Sequence, residues 1–372
     1  MPRPHPLRAV DRPEFEAGGG ALRVADLFSG CGGLTLGAAQ AAHRHGRALE
    51  IPIALDVDDS ALAVYQANFP KSCAQLGTVE SYFDGDLGCP NTSRENELLS
   101  RAGDVDLLVA GPPCQGHSDL NNHTRRNDPK NALYLRAARA AEVLRPRCVL
   151  IENVPAVRHD RGGVVEKTSS ALHAAGYTVA EGVVPLHELG VPQRRRRHIL
   201  IAVSGSQVPP TDWLDRLRNH AGRNHDLTWA IGDLHGLLDR RGIDTIPRAS
   251  VDNLRRMQFL LQSNTYDLPN TMRPICHRGD HSYKSMYGRL RWDEPAQTIT
   301  TGFGSIGQGR YMHPAEPRAL TAHEAARIQG FPDYFDFSPV ERRTALAEMI
   351  GNAVPPMLSE AVTSLLLTDG LM

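Results

Sequence analysis

The sequence predicts an α/β protein, a mostly parallel sheet with helices on both faces, joined to a smaller and irregular domain. Three observations carry that prediction. Short apolar runs alternate with helical patterns through the first half of the chain, the signature of strands fed by crossover helices. Beyond about residue 204 the alternation stops, and residues 205–310 are polar and rich in Arg, His, Asn and Gly. Glycine and proline number 33 and 26 in 372 residues, which speaks for many sharp loops rather than a helical bundle. With 41% hydrophobic and 22% charged residues, the chain can bury a substantial core, and wholesale disorder is excluded.

Taken in order, Leu22–Phe28, Pro52–Val57, Val105–Ala110, Cys148–Ile151 and His198–Val203 read as buried strands, each short and bounded by turn or polar residues. Between them, Leu34–His45, Ser60–Asn68, Ala132–Leu144 and Val164–Ala174 carry apolar residues at helical spacing. Helical patterns return at Thr321–Gln329 and Thr344–Ile350. Residues 1–20, rich in Pro, Arg and Gly, read as a flexible tail with no signal-peptide core. No run approaches the roughly 18 apolar residues that span a bilayer. The six cysteines are scattered without a C-x-x-C pair, so neither a zinc site nor a disulfide scaffold is expected, and the default location is a reducing cytosol.

Charge divides the chain. The total is −1, which by itself argues against a polyanionic partner. From Arg194 to Arg310, however, 18 basic residues face 11 acidic ones, a net of +7 that the remainder cancels. A solvated surface and a nucleic-acid footprint account for that excess equally well.

In open α/β sheets, ligands gather at the carboxyl ends of the strands, so the residues just past each apolar run matter most. The first strand runs into D-L-F-S-G-C-G-G-L, Asp26 to Leu34, whose glycines 30, 32 and 33 allow a tight turn at a helix N-terminus. The spacing does not complete G-x-G-x-x-G, which disfavours a nicotinamide dinucleotide. Strand two ends at Asp56, an acceptor for ribose hydroxyls, and the pair suits an adenosine ligand lacking a pyrophosphate. Strand Val105–Ala110 enters G-P-P-C-Q-G-H-S, where two prolines stiffen the approach to Cys114. A presented thiol at that edge reads as a nucleophile, although most free cysteines are inert buried side chains. The next strand delivers Glu152-Asn153-Val154, whose carboxylate is either a local cap or a general acid. V-P-Q-R-R-R-R-H, Val191 to His198, then precedes a strand. Alternation in an extended segment would project Gln193, Arg195 and Arg197 together.

Together these segments resemble the cytosine-C5 DNA methyltransferase family of bacterial type. D-L-F-S-G-C-G-G is similar to its first motif, G-P-P-C-Q-G-H-S to its catalytic loop, E-N-V to its acid motif and Q-R-R-R-R to its Q-x-R-x-R motif. Arg318–Asp333 and Gly351–Pro356 resemble its two C-terminal motifs, and Arg291–Ser305 the segment that precedes them. The likeness extends from about residue 22 to 360. It implies a Rossmann-like methyltransferase fold: large domain 21–204, target-recognition domain 205–310, and segment 311–372 returning to the large domain.

It also implies chemistry. Cys114 adds to C6 of a flipped cytosine, Glu152 hydrogen-bonds N3, and Arg197 with Arg195 holds O2. C5 then takes the methyl group of S-adenosylmethionine, leaving S-adenosylhomocysteine, with no metal. Phe28 lies against the adenine, Ser29, Gly30, Gly32 and Gly33 form the turn at the methionine end, and Asp56 takes the ribose where the family has Glu. Pro112 and Asn352 complete that pocket. His117 stands where Phe is usual, and His323 replaces a common Arg. The implied partner is double-stranded DNA, met by a monomer in the bacterial cytosol, with a cognate restriction endonuclease alongside and no membrane. The alternatives are a methyltransferase of the same fold acting on tRNA and a catalytically silent DNA-binding regulator.

Overall fold

Parallel strands buried on both faces must read as continuous apolar runs; L-L-V-A and the C-V-L-I of C-V-L-I-E-N do so, and both strands are buried along their whole length. In the computed structural model, which describes residues 5–113, 133–205, 210–219, 224–237, 241–278 and 285–372, they lie at the centre of a seven-stranded sheet. Its strands are β1 (Ala21–Leu27), β2 (Ala48–Asp56), β3 (Ala74–Leu76), β4 (Leu107–Ala110), β5 (Cys148–Asn153), β6 (Tyr177–Pro185) and β7 (Arg196–Ser204), in the order β3-β2-β1-β4-β5-β7-β6. The parallel α/β class expected from the alternation is therefore present. One strand runs the other way: β7 pairs antiparallel with both β5 and β6. Only a 3-10 turn at Leu186–Leu189 separates β6 from the approach to β7, with no crossover helix to restore direction. The beginning of β7 thus meets the end of β5, with Asn153 opposite His198 and Glu152 opposite Ile199.

The helices are α1 (Gly33–Arg44), α2 (Asp59–Asn68), α3 (Val79–Tyr82), α4 (Ser93–Ala102), α5 (Leu133–Leu144), α6 (Val164–Ala174), α7 (Pro210–Asn219), α8 (Leu227–Ile231), α9 (Val251–Gln262), α10 (Ala322–Gln329), α11 (Arg343–Asn352) and α12 (Pro356–Thr368). Local sequence explains several starts. Asp58 caps α2 by accepting from Ser60 and Ala61, and Thr92 and Thr321 form capping boxes with Glu95 and Glu324. α1 and α12 approach so closely that a Cβ on Gly37 would fall 2.0 Å from the Pro356 carbonyl oxygen, and Ser359 Oγ donates to Leu34 O at 2.6 Å.

The chain divides into two compact units, and their boundaries differ from those expected from the sequence. One holds residues 12–189, 196–222 and 354–372, with the sheet and its core; the other holds residues 1–11, 190–195 and 223–353. Residues 311–353 thus group with the recognition region, and the large unit takes back the chain only at Val354, where α12 covers α1. α7 joins the sheet unit because Arg216 makes a bidentate pair with Asp369, at 2.6 Å for each bond. The expected flexible tail is corrected by burial. Leu7 and Phe15 are 2% and 1% exposed, Leu7 O accepts from Asp333 N, and Phe15 O accepts from Leu49 N. The second unit has its own small core around Met257, Leu260, Leu268, Ile306 and Met312. α9, within the stretch read as irregular, supplies the first two.

Candidate active site

The glycine turn is built by strain and by Asp56. β1 ends at Leu27, and Phe28 takes a left-handed φ of 58°, a conformation that costs a bulky residue about 1–3 kcal/mol and concentrates at functional sites. Ser29 N donates to Leu55 O and Gly32 N to Ser29 O, both at 2.9 Å. Gly30 N donates to Asp56 Oδ2 at 2.7 Å, and Asp58 N to Asp56 Oδ1 at 2.9 Å. The Asp56 carboxylate therefore ties the turn to the end of β2, and each oxygen keeps a further lone pair for a ligand hydroxyl. Gly32, at φ 96°, caps α1 where a Cβ would lie 2.8 Å from Phe69. Beneath the turn, Thr35 Oγ1 donates to the buried Asp26 at 2.6 Å and meets Tyr65 Oη at 2.8 Å. Burial pushes the Asp26 carboxyl up to about 7.

Two residues not singled out in the sequence flank this acid. Val57 and Leu76, the latter opposite Asp56 in the β2–β3 register, are 66% and 59% exposed. An apolar residue directly after a strand-terminal acid was the available signal. Ser29 is buried, and its Oγ has no hydrogen-bond partner among the described residues. The edge thus offers a strained aromatic, an acceptor pair, exposed apolar side chains and an unengaged hydroxyl. That combination suits an adenosine with a polar tail.

The neighbouring edge holds the carboxylate. β4 passes into Gly111 and Pro112, and Asn153 Nδ2 donates to Pro112 O at 3.2 Å while its Oδ1 accepts from Val154 N at 2.8 Å. Asn153 thereby fixes the stem of the segment that leads to Cys114. Cys114 itself and His117 lie outside the described residues. Glu152, 6% exposed, is the penultimate residue of β5 and lies beside Arg197, whose Nε is 2.6 Å from Glu152 Oε1. The contact is an ion pair and not an aligned hydrogen bond, because the Nε–H does not point at the oxygen. Arg197 Nη1 donates to Arg196 O at 2.8 Å. The reversed direction of β7 is what brings this guanidinium to the carboxyl end of β5.

Of the expected cluster, the structure joins Glu152 with Arg197, and Asp56 with the turn at Phe28–Gly33. Along residues 193–197 burial alternates: Arg194 and Arg196 are exposed, and Gln193 and Arg195 are not. Both are buried in the second unit, where Arg195 Nη1 donates to Ile299 O at 3.1 Å. Gln193 donates to Ile328 O at 3.1 Å and to Gln329 Oε1 at 2.6 Å, and accepts from Ile299 N at 3.1 Å. Asn352, exposed at the end of α11, also belongs to that unit.

The second unit holds ionic networks of its own. Among the described residues, His235, His313 and Glu316 are the one group of three whose donor atoms lie within 4.8 Å, as a metal would require. Several of their donors already serve one another and the backbone, although the buried His313 Nε2 has no hydrogen-bond partner among the described residues. His313 Nδ1 accepts from Ala315 N and Glu316 N at 3.1 and 3.0 Å, and His235 Nδ1 lies 3.2 Å from Glu316 Oε1. Burial pushes His313 down to about 4. Burial also opposes ionisation of Glu316, yet the Arg318 guanidinium outweighs it and holds that carboxyl at about 2. These residues read as a structural network.

A family model for C-5 cytosine-specific DNA methylases matches residues 22–367. The chain belongs to that family. This methylase is 43% identical over 354 residues to the Type II methyltransferase M1.BsuMI of Bacillus subtilis (strain 168), covering 95% of this chain and 82% of the relative. It is 31% identical to the Type II methylase M.HgiDII of Herpetosiphon aurantiacus, covering 91% and 93%. Among solved structures, the S. pombe Dnmt2 methyltransferase superposes with a TM-score of 0.63 at 19% identity, covering 94% of the methylase and 100% of that chain, a likeness of fold. Methylases of this family take their methyl group from S-adenosylmethionine. Among the described residues of this one, no helix is long and apolar enough to cross a membrane.

Proposed function

We propose that this methylase modifies C5 of a cytosine flipped out of a specific sequence in double-stranded DNA, through a covalent bond from Cys114 to C6. The observation that carries the reading is the Glu152–Arg197 pair, held at the rim where the β4 loop departs toward Cys114. Cytosine C5 is a poor nucleophile, and addition of a thiolate at C6 makes it an enamine. That addition drives charge onto N3 and O2. Glu152 hydrogen-bonds N3 and relays to it a proton taken up from solvent; Arg197, seconded by Arg195, holds O2. Arg197 suits the task because its guanidinium carries five N–H donors in a fixed fork and cannot be neutralised. Transfer of the C5 proton to a water molecule then breaks the C6–S bond, releases Cys114 as thiolate and restores aromaticity. A base inside the duplex cannot reach these groups, so flipping is part of the cycle.

S-adenosylmethionine, when bound, supplies the electrophilic methyl group and leaves as S-adenosylhomocysteine. Its adenosine end is assigned to Phe28 and Asp56, with Val57 and Leu76 offering apolar cover. Its methionine end is assigned to Ser29, Gly30, Gly32 and Gly33, with Pro112 beside them; Asn352 is assigned to the same ligand by the family resemblance alone. No metal enters this scheme. The protein is read as a monomer on DNA in the bacterial cytosol, working beside a cognate restriction endonuclease.

The purified protein should form a covalent adduct with 5-fluorocytosine duplex DNA in the presence of S-adenosylmethionine, seen as a shifted band on a denaturing gel. Cys114→Ala should form none, with at least a thousandfold loss of methylation by analogy with removal of other covalent nucleophiles. An adduct in Cys114→Ala, or methyl transfer to tRNA and not to duplex DNA, would overturn the reading. Bisulfite sequencing of an exposed plasmid gives the target sequence.

A further inference from the structure

Asp26 lies within the sheet unit, wholly buried near the end of β1, and the chemistry above gives it no part. Its register partners on the neighbouring strands are apolar, Ala54 on β2 and Val109 on β4. Oδ2 accepts from Thr35 Oγ1 at 2.6 Å. With that hydroxyl proton committed, Tyr65 Oη is the donor in its 2.8 Å contact with Thr35 Oγ1. Oδ1 is buried and has no hydrogen-bond partner among the described residues. The charged group that acts on Asp26 is a second carboxylate, Asp56, which repels it. Around it, Cys31 in the turn and Tyr65 on α2 are both held protonated by burial.

A buried carboxylate is normally compensated by a cation or by several donors, because an uncompensated charge in the interior is far more costly than an unpaired hydroxyl. Asp26 has one donor and a like charge, and burial pushes it up to about 7. A modest change in the local field therefore decides its state. Since Oδ2 accepts from Thr35, the proton of the neutral acid belongs on Oδ1. The Tyr65–Thr35–Asp26 chain already points its hydroxyls at the carboxyl, so ionisation removes the Oδ1 proton and rearranges nothing else. Asp26 also leads through Leu27 directly into Phe28 and the Ser29–Gly33 turn. The ligand assigned to that turn differs in charge before and after the reaction: a sulfonium is a fixed cation, and the thioether left behind is neutral at sulfur.

Resting on the S-adenosylmethionine assignment above, we propose that Asp26 senses the charge of the bound cofactor, releasing its Oδ1 proton to solvent when the sulfonium form is held and taking one back from solvent once the thioether remains, and so favours the methyl donor over the spent product. It acts through its charge from beneath the turn and does not touch the reacting atoms. A nearby opposite charge favours ionisation of a carboxyl by about tenfold or more. Linkage returns that same factor as preference for the cationic ligand.

Titration calorimetry of the full-length protein in buffers of different ionisation enthalpy counts the protons released on binding. At pH 7, S-adenosylmethionine should release about 0.4 proton more from wild type than from Asp26→Asn, which keeps an acceptor for Thr35 but cannot ionise. The difference should fade by pH 8.5, where Asp26 is ionised beforehand, and S-adenosylhomocysteine should show little at either pH. Asp26→Asn should weaken S-adenosylmethionine binding about fivefold at pH 7 and about tenfold at pH 8.5. Its affinity for S-adenosylhomocysteine should stay within about twofold of wild type, which also reports an intact fold. Equal proton release by the two proteins at pH 7, or equal loss of affinity for both ligands, would overturn the sensor. Infrared difference spectra of wild type alone give a second reading. The carbonyl band of a protonated carboxyl should diminish on adding S-adenosylmethionine at pH 7 and persist with S-adenosylhomocysteine; an unchanged band under saturating S-adenosylmethionine would also overturn the sensor. A wild-type protein that binds no S-adenosylmethionine would instead remove the cofactor assignment, and the sensor with it.

Discussion

At the scale of single residues, position at a strand end made function legible. Asp56, Glu152 and the approach to Cys114 could each be picked out because polar groups come directly after apolar runs, and ligands gather where such strands end. Asn153 was harder to see, since the same motif that marks Glu152 gives no hint of a partner 41 positions away. Its side chain is buried, holds the Pro112 carbonyl oxygen and turns its own oxygen to Val154 N. Asn153→Ala should therefore loosen the stem that carries Cys114. Small misplacements of a reacting group cost about tenfold to a hundredfold, so kcat should fall by that factor while the KM for S-adenosylmethionine changes little. An equal loss in both parameters, or none, would show that Asn153 merely fills space. Arg195 shows a different limit: its donation to the Ile299 carbonyl, 104 positions away, leaves no mark in the sequence.

At the scale of elements, α10 shows which helix signals are local and which are not. Its T-A-H-E start is a capping box that the sequence displays outright. The role of His323 depends on partners 79 and 10 positions away: Nδ1 meets Asp244 Oδ1 at 3.0 Å and Nε2 meets Asp333 Oδ1 at 2.9 Å. Arg327 pairs with Asp333 and Asp233 beside them. Burial alone would discharge His323, but the two carboxylates outweigh it and push the imidazolium up to about 9. Since the folded value is raised above the ordinary histidine value of 6.5, the stabilisation is complete below that pH and is lost as pH rises through about 9. A shift of this size is on the order of 3 kcal/mol. Thermal unfolding followed from pH 6 to 10 should show a falling midpoint over that interval, and His323→Arg, which keeps its charge, should flatten the fall. Identical slopes in the two proteins would count against the network. β7 carries a similar lesson for strands. Its existence was legible from an apolar run, but its reversed direction depends on the helix-free path from β6, and that reversal delivers Arg197 to Glu152.

At the scale of the whole molecule, the charge total hides a distribution, and the distribution in turn hides how each charge is used. The segment from Arg194 to Arg310 carries a net of +7, and the sequence offers no way to tell outward cations from internal ones. Most of the described arginines there are engaged internally. Arg289 donates to Pro314 O at 2.6 Å, Arg310 to Tyr266 O at 2.8 Å, and Arg256 to Asn253 Oδ1 at 2.9 Å as well as to Met272 O. Beyond β7, where the described residues of this segment form no named strand, guanidiniums take over the carbonyl pairing that a strand ladder would otherwise provide. Arg248 and Arg255 are different: both are exposed, and the Asp252 carboxylate lies a loose 3.7 Å from Arg255. The two classes should separate by salt. Each phosphate contact contributes about 0.9 to the slope of log binding constant against log salt. Arg248→Ala combined with Arg255→Ala should therefore reduce that slope by about 2 and leave the unfolding midpoint nearly unchanged. Arg310→Ala should leave the slope alone and cost about 1–2 kcal/mol of stability, since it strips charged donors from part-buried carbonyls. A steep drop in slope for Arg310→Ala, with none for the exposed pair, would mean that the cations meeting DNA are the ones the fold itself uses.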